Sequence, residues 1–101
     1  MPNVEKVAFL VRNQDQVWEC SRSVLGLGVE NLTVGLFIID IEVNVSGREE
    51  AWAERLEMIG DMDGEVFSNV PANTHTWGLI RPASIKEMAK RLKNYDLVVT
   101  F

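Results

Sequence analysis

Few residues in this chain can do chemistry, and they stand far apart. Cys20 is its only sulfur nucleophile. A sulfur carrier or sulfurtransferase needs an accessible thiolate, favoured by a nearby positive charge or a helix N-terminus. Arg22 is close in sequence. Cys20 also falls on the Val17 and Val24 spacing of an inward helix stripe, where cysteine behaves as a small hydrophobe. That packing role is the expected one. His75 is the only histidine. Imidazole titrates near neutrality, so a small enzyme using His75 as its base is the alternative chemistry. A loop histidine that only forms hydrogen bonds is the plainer reading. No other His or Cys stands at ligand spacing, so no metal site is expected.

The remaining polar candidates could bind and need not react. Arg12 and Asn13 follow an apolar run and precede a helix, where backbone N–H groups and the helix dipole attract anions. Arg12 could add a charge-assisted bond. Alternatively Arg12 pairs with Asp15 or Asp40, and Asn13 is a plain cap. Gly26-Leu27-Gly28 starts like a dinucleotide fingerprint. It lacks the third glycine and ends a helix, so nicotinamide or flavin dinucleotide binding is not expected, nor any other cofactor. Asp40 then reads as a polar residue closing a strand. Ligand contacts are expected from Arg12, Asn13, Asp40, Asn69, His75 and Trp77, around a small anion or polar metabolite.

Those residues must be positioned by the elements between them. Lys6 to Val11 (KVAFLV) is a strand with the continuous apolar character of one buried on both faces. Asn13 caps the following helix, with Gln16 as reciprocal partner. Val17, Cys20, Val24 and Leu27 give its inward stripe, and Gly28 ends it. Trp18, Arg22 and Leu25 form a second stripe, and the excess apolar surface at Trp18 and Leu25 suggests a subunit interface. Thr33 to Ile39 is the second strand. Ser46 and Glu49 form a capping box for the second helix, with Trp52, Leu56 and Ile59 inward and Glu50, Glu54, Arg55 and Glu57 solvated. It ends near Met62, with Gly64 just beyond. Glu65 to Ser68 is a short third strand. Residues 69–83 show no helical period and read as a long loop, with a short strand near Trp77 to Arg81. Ser84 and Glu87 make another capping box, Ile85, Met88, Ala89 and Leu92 an inward face, and Leu97 to Phe101 a last buried strand.

Strands alternating with capped amphipathic helices predict right-handed crossovers and a mainly parallel sheet of four or five strands, in one α/β domain over residues 1–101. Ligands then bind beyond the strand carboxyl ends. The chain has 101 residues, 47% of them hydrophobic and 25% charged, with net charge −5. An acidic chain repels phosphate backbones, so nucleic acid is not an expected partner. No apolar run is long enough to cross a membrane, and the N-terminal run reads as a strand and not as a signal peptide. A lone thiol suits a reducing, cytoplasmic compartment.

Three stretches carry a family resemblance: KVAFLV, SRSVLGLGVENLTVGLFIIDIEV and SIKEMAKRLKNYDLVVTF. With them the whole chain resembles the DsrE/DsrF/TusD-like family of small sulfur-metabolism proteins. The most telling feature is the Leu25-Gly26-Leu27-Gly28 helix end feeding a Leu-Phe-Ile-Ile-Asp strand. The resemblance implies a flavodoxin-like three-layer sandwich, assembly into homotrimers or hexamers, and sulfur-relay proteins as partners. Sulfurtransferase members carry a relay cysteine in the loop after the third strand. Here that region reads SNVPANTHTW and has no cysteine. The expected function is therefore a non-catalytic homo-oligomeric module binding a small anion or a partner protein.

Overall fold

A computed structural model describes residues 4–101. Ten segments follow in order: β1 (Lys6–Val11), a 3-10 turn (Gln14–Gln16), α1 (Val17–Val29), β2 (Thr33–Ile38), α2 (Glu49–Asp61), β3 (Glu65–Ser68), α3 (Pro71–Thr76), β4 (Arg81–Pro82), α4 (Ile85–Leu92) and β5 (Leu97–Thr100). The five strands form one sheet in the order β4-β3-β2-β1-β5, and every pairing is parallel. The architecture is a flavodoxin-like α/β sandwich. The strand beyond β1 is the last one, whereas in flavodoxin itself it is the second.

That order dictates which face each helix covers. From β1 to β4 the chain steps across the sheet in one direction, so right-handed crossovers keep α1, α2 and α3 on one face. From β4 to β5 it returns past three strands, so the same hand puts α4 on the other. The side chains follow. Val7, Phe9, Val11, Val34, Leu36, Ile38 and Val66 point to the first face and meet Val17, Cys20 and Val24 of α1 and Trp52, Leu56 and Ile59 of α2. Ala8, Phe37, Ile39 and Phe67 point to the second and meet Met88. Trp52 is fully buried, and among the described residues its Nε1–H has no oxygen or nitrogen acceptor. Its ring meets Trp77 edge to face, with centroids 6.5 Å apart.

Several local readings change. Asn13 does cap a helical turn, but its Oδ1 accepts from Asp15 N at 3.0 Å, and Gln16 makes no reciprocal bond. The α1 helix proper begins at Val17. Left-handed backbone after α1 and α2 falls to Asn31 (φ 64) and Asp63 (φ 59) instead of Gly28 and Gly64. Asn and Asp tolerate this region better than most side chains. Ser46 caps nothing: Arg48 holds the N-cap of α2 without a side-chain bond, and Glu49 reaches back to Gly47 N at 3.2 Å. Residues 69–83 are not a plain loop, because they contain α3 and β4. A six-residue helix is too short to show a period, and Pro71 at its first turn was the usable signal. The last strand is not buried. It runs along the sheet edge, with Leu97 47% and Val98 41% exposed.

The second face has one helix, and α4 buries only Met88 fully; Ile85 is 47% exposed. Its attachment relies on polar bonds. Arg91 grips Glu65 in two bonds of 2.8 and 2.9 Å, and the Tyr95 hydroxyl donates to the same carboxylate at 2.8 Å. Tyr95 lies edge-on to Phe37, with centroids 5.7 Å apart, and its hydroxyl passes directly over Gly35. A Cβ at Gly35 would collide with that hydroxyl. Gly35→Ala is expected to cost about 1–3 kcal/mol of stability. Adding Tyr95→Phe should return part of that loss, so the double variant is less destabilised than the two single costs summed. Urea denaturation of the four proteins measures this. Strictly additive costs would show that the two residues do not contend for one space.

Candidate functional site

The carboxyl ends of β3 and β4 are where the chain parts to opposite faces. From β3 it enters α3 on the first face, and from β4 it enters α4 on the second. Such divergence opens a crevice in parallel sheets. Here the crevice measures about 570 Å³, a size that holds small metabolites. Its walls are Ser68 and Asn69 from the end of β3, Thr74 and His75 from α3, and Ser84 and Glu87 from the start of α4, with Pro71, Pro82 and Ala83 as the apolar part.

The crevice residues are firmly held. Asn73 is buried and makes three side-chain bonds: Oδ1 accepts from Val43 N (2.8 Å), and Nδ2 donates to Ile41 O (2.8 Å) and to Ser68 Oγ (2.9 Å). It thereby ties α3 to the end of β3 and to the segment after β2. Asn69 and Asp40 bond reciprocally: Asn69 Oδ1 accepts from Asp40 N at 2.8 Å, and Asn69 Nδ2 donates to Asp40 Oδ1 at 2.7 Å. This clamp holds Asp40 in the left-handed region, at φ 59. Opposite, Ser84 Oγ accepts from Glu87 N and Glu87 Oε1 accepts from Ser84 N, both at 3.1 Å, as the capping box predicts. Those bonds hold the Glu87 carboxyl below its ordinary pKa, so it is ionised at neutral pH.

These contacts set what the crevice can offer chemically. The cap of α4 already takes two of its N-terminal donors, Ser84 N and Glu87 N. Glu87 is anionic, and Asp40 adds a second carboxylate behind Asn69. His75 is the only nitrogen base among the lining residues. The crevice offers hydroxyls, an amide, an imidazole and a carboxylate, a set that suits a neutral or cationic polar molecule better than an anion.

Of the residues marked in the sequence, Asn69 and His75 line the crevice, and Asp40 touches it through Asn69. Arg12 and Asn13 follow β1, two strands away from β3, and are not among its walls. Among the described residues Arg12 makes no ion pair with Asp15 or Asp40; its backbone N–H reaches Phe101 O at 3.4 Å. Trp77 packs on Trp52 and borders a separate cavity of about 250 Å³ shared with Glu42 and Val43. Leu25 is half-buried against the first-face core, and Trp18 is half-buried beneath arginine side chains. The more exposed apolar side chains are elsewhere, among them Val29, Leu79, Leu97 and Val98. Thr74, Ser84 and Glu87 were missed as site residues. Ser84 and Glu87 were legible only as a cap, and nothing local places a cap opposite His75. Among the described residues no three of His, Cys, Asp and Glu gather as metal ligands.

Comparison of the chain with protein-family models, with curated proteins and with solved structures finds no match. No helix of the described residues is long and apolar enough to cross a membrane.

Cys20 lies fully buried between α1 and the sheet. Burial pushes its thiol up to about 12, because a thiolate there would lose its hydration. In the folded protein it should react with iodoacetamide many times more slowly than after denaturation, and Cys20→Ala should cost roughly 1 kcal/mol in packing. Mass spectrometry of timed alkylation checks this. Equal rates in both states would place the thiol at the surface.

Proposed function

We propose that the protein is a non-catalytic, homo-oligomeric binding module of the DsrE-like kind, which takes a small polar molecule into the crevice between α3 and α4. The observation that carries the reading is the crevice itself: about 570 Å³ at the switch point of the sheet, walled by six polar side chains from the end of β3, from α3 and from the start of α4. The DsrE-like part rests on the sequence stretches named above and on an architecture of the kind that family uses. Sulfur-related metabolism, a sulfur-relay protein as partner and a cytoplasmic setting belong to the same proposal. A sulfur carrier working through Cys20 is not the favoured form, because that thiol is buried and hard to ionise. The second reading is a small enzyme with His75 as base. It is favoured by one fact, that His75 and Glu87 line the same crevice.

Self-association is the other half of the proposal. The β5 edge carries Leu97 and Val98 partly exposed, with no charge or proline in Leu97–Thr100 to discourage pairing. Such an edge is usually covered.

Nuclear magnetic resonance titration with small neutral, cationic and anionic fragments tests the crevice. Neutral or cationic amide- and hydroxyl-bearing fragments should shift Ser68, Asn69, Thr74, His75 and Ser84, and His75→Ala should weaken them about tenfold, the worth of one hydrogen bond near 1.4 kcal/mol. Fragment shifts confined to other surfaces would remove this ligand site. Turnover lost in His75→Ala with binding retained would favour the enzyme. Light scattering at micromolar concentration should give a mass at least twice the 11.4 kDa of one chain. A monomer would sink the oligomeric half and leave the crevice standing.

A further inference from the structure

A second feature lies outside the crevice and shares none of its lining residues. In a chain with more acidic than basic residues, two arginines lie over one tryptophan and a third stands near them. Trp18 is at the start of α1, and Arg22 is four residues on. Arg48 precedes α2, and Arg55 lies within it. The Arg55 guanidinium carbon is 3.6 Å from the Trp18 ring centroid, and that of Arg48 is 4.8 Å away. Each is close enough for a cation–π contact. Arg55 is anchored: its Nη1 donates to Trp18 O at 2.8 Å and to Ser21 Oγ at 2.7 Å. Sequence periodicity placed Arg55 on a solvated face, but the packing of α2 on α1 turns it onto Trp18.

The positive charge is crowded on the Trp18 side, while Glu49, Glu50 and Glu54 share a second cavity with Arg48 on the other. Arg55 is held below its usual pKa, first by burial and then by repulsion from Arg22 and Arg48. Among the described residues Glu19 pulls the other way, less strongly than Arg22 and more strongly than Arg48 acts. Among the described residues none of these three arginines makes an ion pair; the one pair there joins Arg91 and Glu65. Arg48 is exposed, and its side chain makes no hydrogen bond among the described residues. A guanidinium stacked on an indole keeps its N–H edge available for a carboxylate or phosphate.

That edge borders a cavity. Trp18, Asn44, Val45, Ser46 and Arg48 line an open depression of about 240 Å³. The volume falls below that of most metabolite pockets and far above one water, so it fits a single charged group on a small body. Asn44 Oδ1 accepts from Ser46 N at 3.2 Å. This leaves the Asn44 amide N–H groups and the Ser46 hydroxyl as donors beside the arginine.

We propose that Trp18, Asn44, Ser46 and Arg48, backed by Arg55 and Arg22, form a binding site for one oxyanion group, a carboxylate or a phosphate, on a small molecule. Arg48 supplies the charged fork, Asn44 and Ser46 complete the donor set, and Trp18 with Arg55 fixes the orientation of the fork.

The test is titration of the full chain, labelled with ¹⁵N, with inorganic phosphate and separately with acetate, at ionic strength held constant with sodium chloride. Saturable shifts are expected at the Trp18 indole N–H and at the amides of Asn44, Ser46 and Arg48, at millimolar concentration. The tighter of the two anions identifies the class of group. Arg48→Ala should weaken binding at least tenfold, and Arg48→Lys should also weaken it, because the planar fork is lost. The Arg48 side chain is exposed and makes no hydrogen bond among the described residues, so both variants should keep the parent circular dichroism spectrum. Arg48→Gln serves if either does not. Non-saturating shifts, shifts reproduced by chloride alone, or unchanged affinity in Arg48→Ala would overturn the proposal. Shifts at His75 and Ser84 instead would overturn it too, and would bear on the crevice.

Discussion

The Tyr95 hydroxyl crossing Gly35 to reach Glu65 is the contact on which the second layer depends. A helix of eight residues with one fully buried side chain cannot hold a sheet face by apolar contact alone. Burying a methionine contributes about 1.5–3 kcal/mol, which is small beside the entropy of ordering the segment. The Glu65 carboxylate supplies what is missing. It accepts from Arg91 and from Tyr95, and the Arg91 bonds hold it below the ordinary carboxylate range. The Tyr95 phenol is raised in turn, first by burial and then by that carboxylate. Glu65 therefore stabilises the fold while it is ionised, and that contribution fades as acid takes the pH down through its lowered pKa. With α4 fixed, Ser84 and Glu87 face His75 and the crevice has its second wall.

Much of the fold was legible because the first face obeys simple patterns. The run from Lys6 to Val11 and that from Thr33 onward are continuous apolar strands, and Val17, Cys20, Val24, Trp52, Leu56 and Ile59 keep helical spacing. Each is stated by neighbours within one or two turns. What was not legible depends on partners far away in the chain. The exposure of Leu97 and Val98 follows from β5 lying at an edge, and no window of sequence contains that fact. Arg55 looks solvated on its own helix and is covered only because α1 lies alongside.

The site divides in the same way. Asn69 and His75 were found because polar residues after a strand are worth marking in any parallel sheet. Arg12 and Asn13 were marked by the same rule, and the rule does not say which strand end opens. That is decided by the reversal of direction between β4 and β5. The expectation of an anion rested on Arg12 and on helix N-termini at the strand ends. At α4 the capping box takes two of the N-terminal donors, Ser84 N and Glu87 N, so the motif that announced the helix also reduced what it offers an anion.

The position of β5 bears on how the molecule is made. Its hydrogen-bonded neighbour is β1, and Val7 sits opposite Leu97. Asp96 fastens the two ends by accepting from Glu5 N and Lys6 N, each at 2.9 Å, across 90 and 91 residues of chain. Contacts of such separation must meet a large loop-closure entropy before they return anything, and topologies rich in them fold slowly. On the ribosome β1 and β2 can pair early, but the outer edge of β1 waits for almost the whole domain to emerge. For that interval an apolar strand, Val-Ala-Phe-Leu-Val, lies open along one side and is able to accept a stray strand from another nascent chain.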